Sequence, residues 1–142
     1  MRDRLGGYRD ALRRRRVTVR DSLVYEGTFA ESSGYDAVAP LLAARPRPTA
    51  IIAANDRMAF GALAALTDSG LRVPADMSLV GFDDTTLAAY TRPALTSVAI
   101  PTYEIGATAM SALLDWRDTG TTPTDAHITS HLVTRASTAA PS

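Results

Sequence analysis

Apolar positions along this chain alternate between helical stripes and short continuous runs. From Asp3 to Arg15, Leu5, Tyr8 and Leu12 recur at spacings of three and four, which predicts a helix with one covered face. Leu23-Val24-Tyr25 reads as a short strand closed by Glu26-Gly27. Tyr35, Val38, Leu41 and Leu42 mark a second helix between Glu31 and Ala44, stopped by Pro46 and Pro48. The run Thr49 to Ala54 is continuously apolar, the pattern of a strand covered on both faces. Asn55-Asp56 ends that strand and opens a third helix, with the stripe Ala59, Leu63, Leu66 and a stop at Gly70.

The cycle then repeats. Met77 to Phe82 is another buried strand, ending in Asp83-Asp84, and a short helical stretch from Thr85 to Tyr90 leads to Pro93. Leu95 to Ile100 is extended, and Pro101 breaks it. Ile105, Ala109, Ala112, Leu113 and Trp116 mark an amphipathic helix, and Gly120 to Thr124 is a polar loop. His131 to Thr134 forms a last strand before a frayed Ala/Ser/Pro tail. Helices alternating with strands through short loops predict an α/β fold with a mostly parallel, doubly wound sheet. Ligands bind such sheets at the carboxyl ends of the strands. Attention therefore falls on Asn55-Asp56, Asp83-Asp84 and the loop from Glu26 to Phe29.

Composition narrows the chemistry. The 142 residues hold no Cys, and all 15 basic residues are Arg. Disulfides, thiolate nucleophiles, Cys-ligated zinc and a Lys-bearing phosphate loop are excluded together. No apolar run approaches the ~18–20 residues needed to span a bilayer, and no signal-peptide core follows Met1, so the expected compartment is the cytoplasm. Net charge is zero, but residues 1–20 carry eight Arg against two Asp. The run Arg13-Arg14-Arg15-Arg16 lacks interleaved aromatic or amide side chains that would stack on or read bases. It reads as the solvated C-terminal end of a helix, where cations complement the dipole.

Catalytic constellations are scarce. His127 and His131 flank an extended stretch and lack the Glu of a metalloprotease helix. Asp56, Asp83 and Asp84 could face one hard cation, but nothing specifies further oxygen ligands. No metal or cofactor is expected, and no enzyme. What remains is recognition. Asp83, Asn55, Arg4 and Phe29 suit a polyhydroxylated ligand: Asp accepts from neighbouring hydroxyls, Asn donates and accepts, Arg offers a fork of donors, and an aromatic face covers a ring. Each also has a plainer role, since Asn55 can cap a helix, Asp83 can close a strand and Phe29 can be core.

Several stretches together resemble the LacI/GalR family of bacterial transcription regulators. Arg4-Leu5-Gly6-Gly7-Tyr8-Arg9-Asp10-Ala11-Leu12 is similar to that family's R-x-x-G-(Y/F)-x-x-A-L helix. Ala50 to Gly61 resembles its A-x-x-x-x-N-D-x-M-A-x-G segment. Gly70 to Asp84 resembles its G-x-x-V-P-x-D-x-S-(V/L)-V-G-F-D-D block. Pro93 to Val98 and Leu132 to Thr138 also fit.

The resemblance implies a periplasmic-binding-protein-like fold whose two α/β lobes enclose a small-molecule effector, a sugar or nucleoside-like compound. It implies effector contacts at Arg4, Phe29, Asn55 and Asp83, and a homodimer surface that includes Met58, Leu87 and Tyr90. It divides the chain into residues 1–100, a C-terminal lobe lacking its first strand; residues 101–128, a crossover and a helix of the other lobe; and residues 129–142, a final strand and disordered tail. The lobe is then incomplete, and the chain is expected to be an N-terminally truncated member, without the helix-turn-helix headpiece through which the family binds operator DNA. The expected function is effector binding and dimerisation within such a regulator. The alternative is a stand-alone sugar-binding module, or an inactive remnant that pairs with an intact paralogue.

Overall fold

The computed structural model describes residues 2–140. Its elements follow in the order α1 (Arg2–Arg14), a 3-10 turn (Asp21–Leu23), α2 (Glu31–Ala43), β1 (Ala50–Ile52), α3 (Asp56–Asp68), β2 (Ser78–Asp83), a second 3-10 turn (Thr86–Ala89), β3 (Thr96–Ala99), α4 (Thr102–Thr119) and β4 (His131–Val133). The strands form one sheet in the order β1-β2-β3-β4. β1 and β3 run parallel to β2, with Ile51 opposite Leu79 and Gly81 opposite Ser97. β4 is antiparallel to β3, with Leu132 opposite Val98. The sheet is thus mostly parallel, as the alternation of helices and strands implies.

The core lies on one face of the sheet. Side chains alternate across a strand, so Leu79 and Gly81 point toward α3 and are buried, while Val80 and Phe82 point the other way and are half-buried. Val38, Leu66, Met77 and Leu95 complete the buried centre. Two glycines let α2 and α3 cross closely. A Cβ on Gly34 would fall on the carbonyl of Met58, and one on Gly61 on the carbonyl of Glu31. Outside this crossing, Glu31 pairs with Arg57 through both carboxylate oxygens at 2.7 and 2.8 Å.

Four expectations need correction. The apolar run at β1 is covered on one face only: Ile52, on the face opposite α3, is 64 % exposed. Leu23 to Tyr25 is not a strand. Leu23 closes a 3-10 turn, and Val24, though extended, is not part of the four-stranded sheet. Met58, placed on the dimer surface by resemblance, is buried in the core, where its side chain closes over Gly27. The tail after Thr134 is packed as far as Ala139. Ser137 is buried, donates to the carbonyl of Leu79 and accepts from the amide of Thr96, which ties it across β2 and β3.

α4 stands apart from this core. None of its 18 residues is buried, and Tyr103, Met110, Leu113 and Trp116 are exposed. Gly120 ends it in the left-handed conformation at φ 70°, the usual geometry of a helix stop. Among the described residues, no helix is long and apolar enough to cross a membrane.

Candidate functional site

The carboxyl ends of β1 and β2 bring the four expected ligand residues together. Asn55 follows β1 and caps α3, accepting a hydrogen bond from the amide of Met58 at 2.8 Å. Such a cap stabilises a helix by about 1 kcal/mol. Its amide group also donates to the carbonyl of Phe29 at 3.0 Å, which anchors the loop before α2 to the same strand end. Asn55 therefore fills its plain capping role and, among the described residues, still keeps one amide hydrogen unpaired. Phe29 sits at φ 65°, left-handed for a bulky residue, with its ring partly exposed.

Arg4 reaches the same place from α1. Its guanidinium donates to the carbonyl of Ala54 and lies 3.9 Å from the centre of the Phe82 ring, on the face opposite α3. A cation over an aromatic ring at a site like this contributes about 0.5–1 kcal/mol. The interaction also fixes where the remaining donors of Arg4 point.

Asp83 is the last residue of β2, and its backbone is unusual. It sits at φ 111°, and Asp84 follows at φ 53°. For a residue with a Cβ, such a conformation costs on the order of 1–3 kcal/mol and persists only where surrounding contacts enforce it. Among the described residues, the half-buried Asp83 carboxylate has no hydrogen bond and no salt bridge. Burial pushes its pKa up from the usual carboxylate value; Arg4 pulls the other way, and Asp56 adds to the rise. The structure thus holds, on a strained backbone and beside a positioned Arg, a carboxylate with no hydrogen-bond or salt-bridge partner among the described residues.

Behind Asp83 lies a polar cluster that the apolar patterning did not reveal. Asp56, fully buried at the start of α3, accepts from the Ser97 hydroxyl and from both the amide and hydroxyl of Thr85, the latter two at 2.7 and 2.9 Å. Ser97 in turn accepts from the Asp84 amide at 3.1 Å. Arg135 lies 2.7 Å from Asp84, at an angle that makes the contact ionic rather than a directed hydrogen bond. One signal in the sequence pointed here: Thr96-Ser97 is a polar pair inside an otherwise apolar strand, and buried polar groups require partners.

Leu87 and Tyr90 are 54 % and 70 % exposed, so both are available to a partner, unlike Met58. A shallow groove of about 370 Å³ runs along α2 and α3 between Glu31, Tyr35, Phe60 and Ala64, and none of the four ligand residues lines it. Among the described residues, no group of three or more His, Cys, Asp or Glu side chains could hold a metal.

Comparison with known proteins gives one answer. Residues 1–138 match the family described as periplasmic binding protein-like domain. The chain is 46 % identical over 107 residues to catabolite control protein A of Priestia megaterium, across 75 % of this chain and 32 % of that protein. It is similar to the transcriptional regulator CelR solved as a cellobiose complex, with 39 % identity and a TM-score of 0.88 over 94 % of this chain and 41 % of that one. It is also similar to a dimeric Lac repressor, with 35 % identity and a TM-score of 0.88 over 99 % of this chain and 51 % of that one. The chain spans about a third of the curated relatives it matches and about half of the solved chains.

Proposed function

From the premise that the chain belongs to the periplasmic-binding-protein-like domain of LacI-family transcription regulators, we propose that it binds a polyhydroxylated small molecule, a sugar or nucleoside-like effector. Asp83 carries the reading: a half-buried carboxylate with no hydrogen-bond or salt-bridge partner among the described residues, its backbone held at φ 111° at the carboxyl end of a parallel strand. Strained polar residues of this kind cluster at binding sites. Asp83 accepts from adjacent ring hydroxyls, Arg4 donates to a ring or hydroxyl oxygen, Asn55 supplies its free amide hydrogen, and Phe29 covers the apolar side of the ring. No reaction is assigned to the site, in keeping with relatives that are regulators and not enzymes. A relative bound to cellobiose and another bound to ribose support the ligand class.

Residues 1–100 act as the lobe that carries the site. Residues 101–128 cross to a second lobe, which accounts for the bare apolar face of α4, and the chain then returns to the first lobe through β4. Leu87 and Tyr90 contribute to a homodimer surface. Operator DNA is contacted by a headpiece outside this segment, in the cytoplasm where transcription takes place. A thermal-shift screen against pentoses, hexoses, disaccharides and nucleosides tests the reading. Ligand at 100 times its Kd should stabilise the native state by about 2.7 kcal/mol, a rise of several degrees. A flat response across the panel, or an unchanged response in Asp83→Ala, overturns it. For the dimer, sedimentation should show Leu87→Asp/Tyr90→Asp as a monomer at concentrations where the parent chain pairs.

A further inference from the structure

Asp56, a carboxylate on the first turn of α3, would ordinarily serve the free amides of its own helix. Here its named hydrogen bonds all leave the helix. They go to the amide and hydroxyl of Thr85 and to the hydroxyl of Ser97 on β3. Ser97 passes the connection on by accepting the Asp84 amide, and Arg135, arriving from beyond β4, lies against the Asp84 carboxylate. The two amides that follow Asp83 are therefore both tied, one to Ser97 and one to Asp56. Turning Asp83 back to an ordinary extended conformation would swing these amides off their acceptors. Gly81 makes the approach possible, since a Cβ there would stand 2.2 Å from Asp56 Oδ1.

We propose that Asp56, Thr85, Ser97 and Arg135 are the positioning residues of the ligand site, holding the Asp83–Asp84 backbone left-handed so that the Asp83 carboxylate is aimed at a pair of ligand hydroxyls. The inference rests on the reading of Asp83 as a ligand residue and extends it to how that residue selects its ligand. Ser97 lies on β3 and Arg135 follows the end of β4 by two residues, so the segment after the return strand helps to set the aim of a residue on β2.

The affinity ratio between a sugar and its monodeoxy derivatives tests this by isothermal titration on the full chain. The probes are glucose, cellobiose and ribose with their commercially available monodeoxy analogues. A variant that only lowers the folded fraction weakens both members of a pair by the same factor and leaves the ratio unchanged. A variant that frees Asp83 lowers the ratio. The parent chain should discriminate at least tenfold against the analogue lacking the hydroxyl that Asp83 accepts. Ser97→Ala and Thr85→Val should bring that ratio to threefold or less, whereas Thr85→Ser, which keeps the hydroxyl, should restore it. If Asp83→Asn lowers the ratio and Ser97→Ala and Thr85→Val leave it at the parent value, the positioning role is refuted and the ligand site stands. If Asp83→Asn leaves the ratio unchanged, or no probe binds the parent chain, the ligand reading falls and this inference falls with it.

Discussion

Replacing Gly61 with Ala places a methyl group between α2 and α3, with a Cβ position only 1.8 Å from the Glu31 carbonyl oxygen and 2.9 Å from the Tyr35 amide nitrogen. Both are backbone atoms, so no rotamer change relieves the contact. The helices must separate by roughly 1 Å or more, which loosens the dispersion contacts around Val38, Ala62 and Leu66. Overpacking of this kind costs about 1–3 kcal/mol or more, against a helix-propensity gain of about 1 kcal/mol for Ala over Gly. With backbone atoms this close the cost lies at the upper end of that range, about 3 kcal/mol, giving net destabilisation of about 2 kcal/mol. Gly6→Ala is the matched control. Gly6 lies within α1, and a Cβ there meets nothing within 4 Å, so only the propensity gain remains, about 0.5–1 kcal/mol of stabilisation. Urea unfolding followed by far-UV circular dichroism measures both. Fluorescence is the poorer probe, because Trp116, the chain's one tryptophan, sits half-exposed on α4 away from this crossing. Gly61→Ala as stable as the parent would refute the close helix crossing.

Three further outcomes follow from the same geometry. Burial raises the folded-state pKa of Asp83, so its ionised form opposes folding: its protonated form favours the native state below the unfolded value of 3.8, and that advantage is lost as pH rises through the higher folded value. Asp83→Asn should therefore raise the melting temperature of the ligand-free chain at pH 7, with the gain shrinking toward pH 3.5; a drop at pH 7 would contradict the assignment. Glu31 behaves in the opposite sense. The Arg57 guanidinium and a backbone hydrogen bond hold its pKa at about 2 against a usual 4.5. Its contribution should be complete above pH 4.5 and lost as pH falls toward 2, and Arg57→Gln should flatten that part of the stability profile; the pair is exposed, so added salt should weaken it as well. Asp56→Ala removes an acceptor from three donors in a buried setting and should cost about 2–4 kcal/mol in a urea titration, far more than an exposed Asp10→Ala.

Helices were the most legible part of the sequence. The stripes of α2 and α3 each set one apolar face against a single surface, and a period near 3.6 survives whatever lies beyond that surface; α1 follows the same period with Leu5, Tyr8 and Leu12 only half-buried. Strand status was less local. Thr49 to Ala54 and Leu23 to Tyr25 have similar apolar character, yet one forms an edge strand and the other forms none, because pairing depends on a neighbour that local pattern does not specify. Ile52 makes the same point, being apolar yet exposed. Strand ends led to Asn55, Asp83 and the loop of Phe29, the family resemblance added its weight to these and to Arg4 on the first helix, and the fold places all four at one end of the sheet. The positive φ angles at Phe29 and Asp83 were not readable, since neither is a glycine. Asp56 was legible only as a helix-start residue; its partner Ser97 is 41 residues away, and a hydrogen bond across that separation leaves no periodic trace. Met58 misled because a motif position was taken to face outward, whereas the glycines at 27 and 34 leave room for it inside.

The most direct test is calorimetric titration of the parent chain and Asp83→Asn with cellobiose, ribose and the best ligand from the screen. A tenfold or greater loss of affinity in Asp83→Asn, alongside an unchanged or higher melting temperature, is the predicted result. Equal affinity in the two proteins would contradict a ligand site built on Asp83.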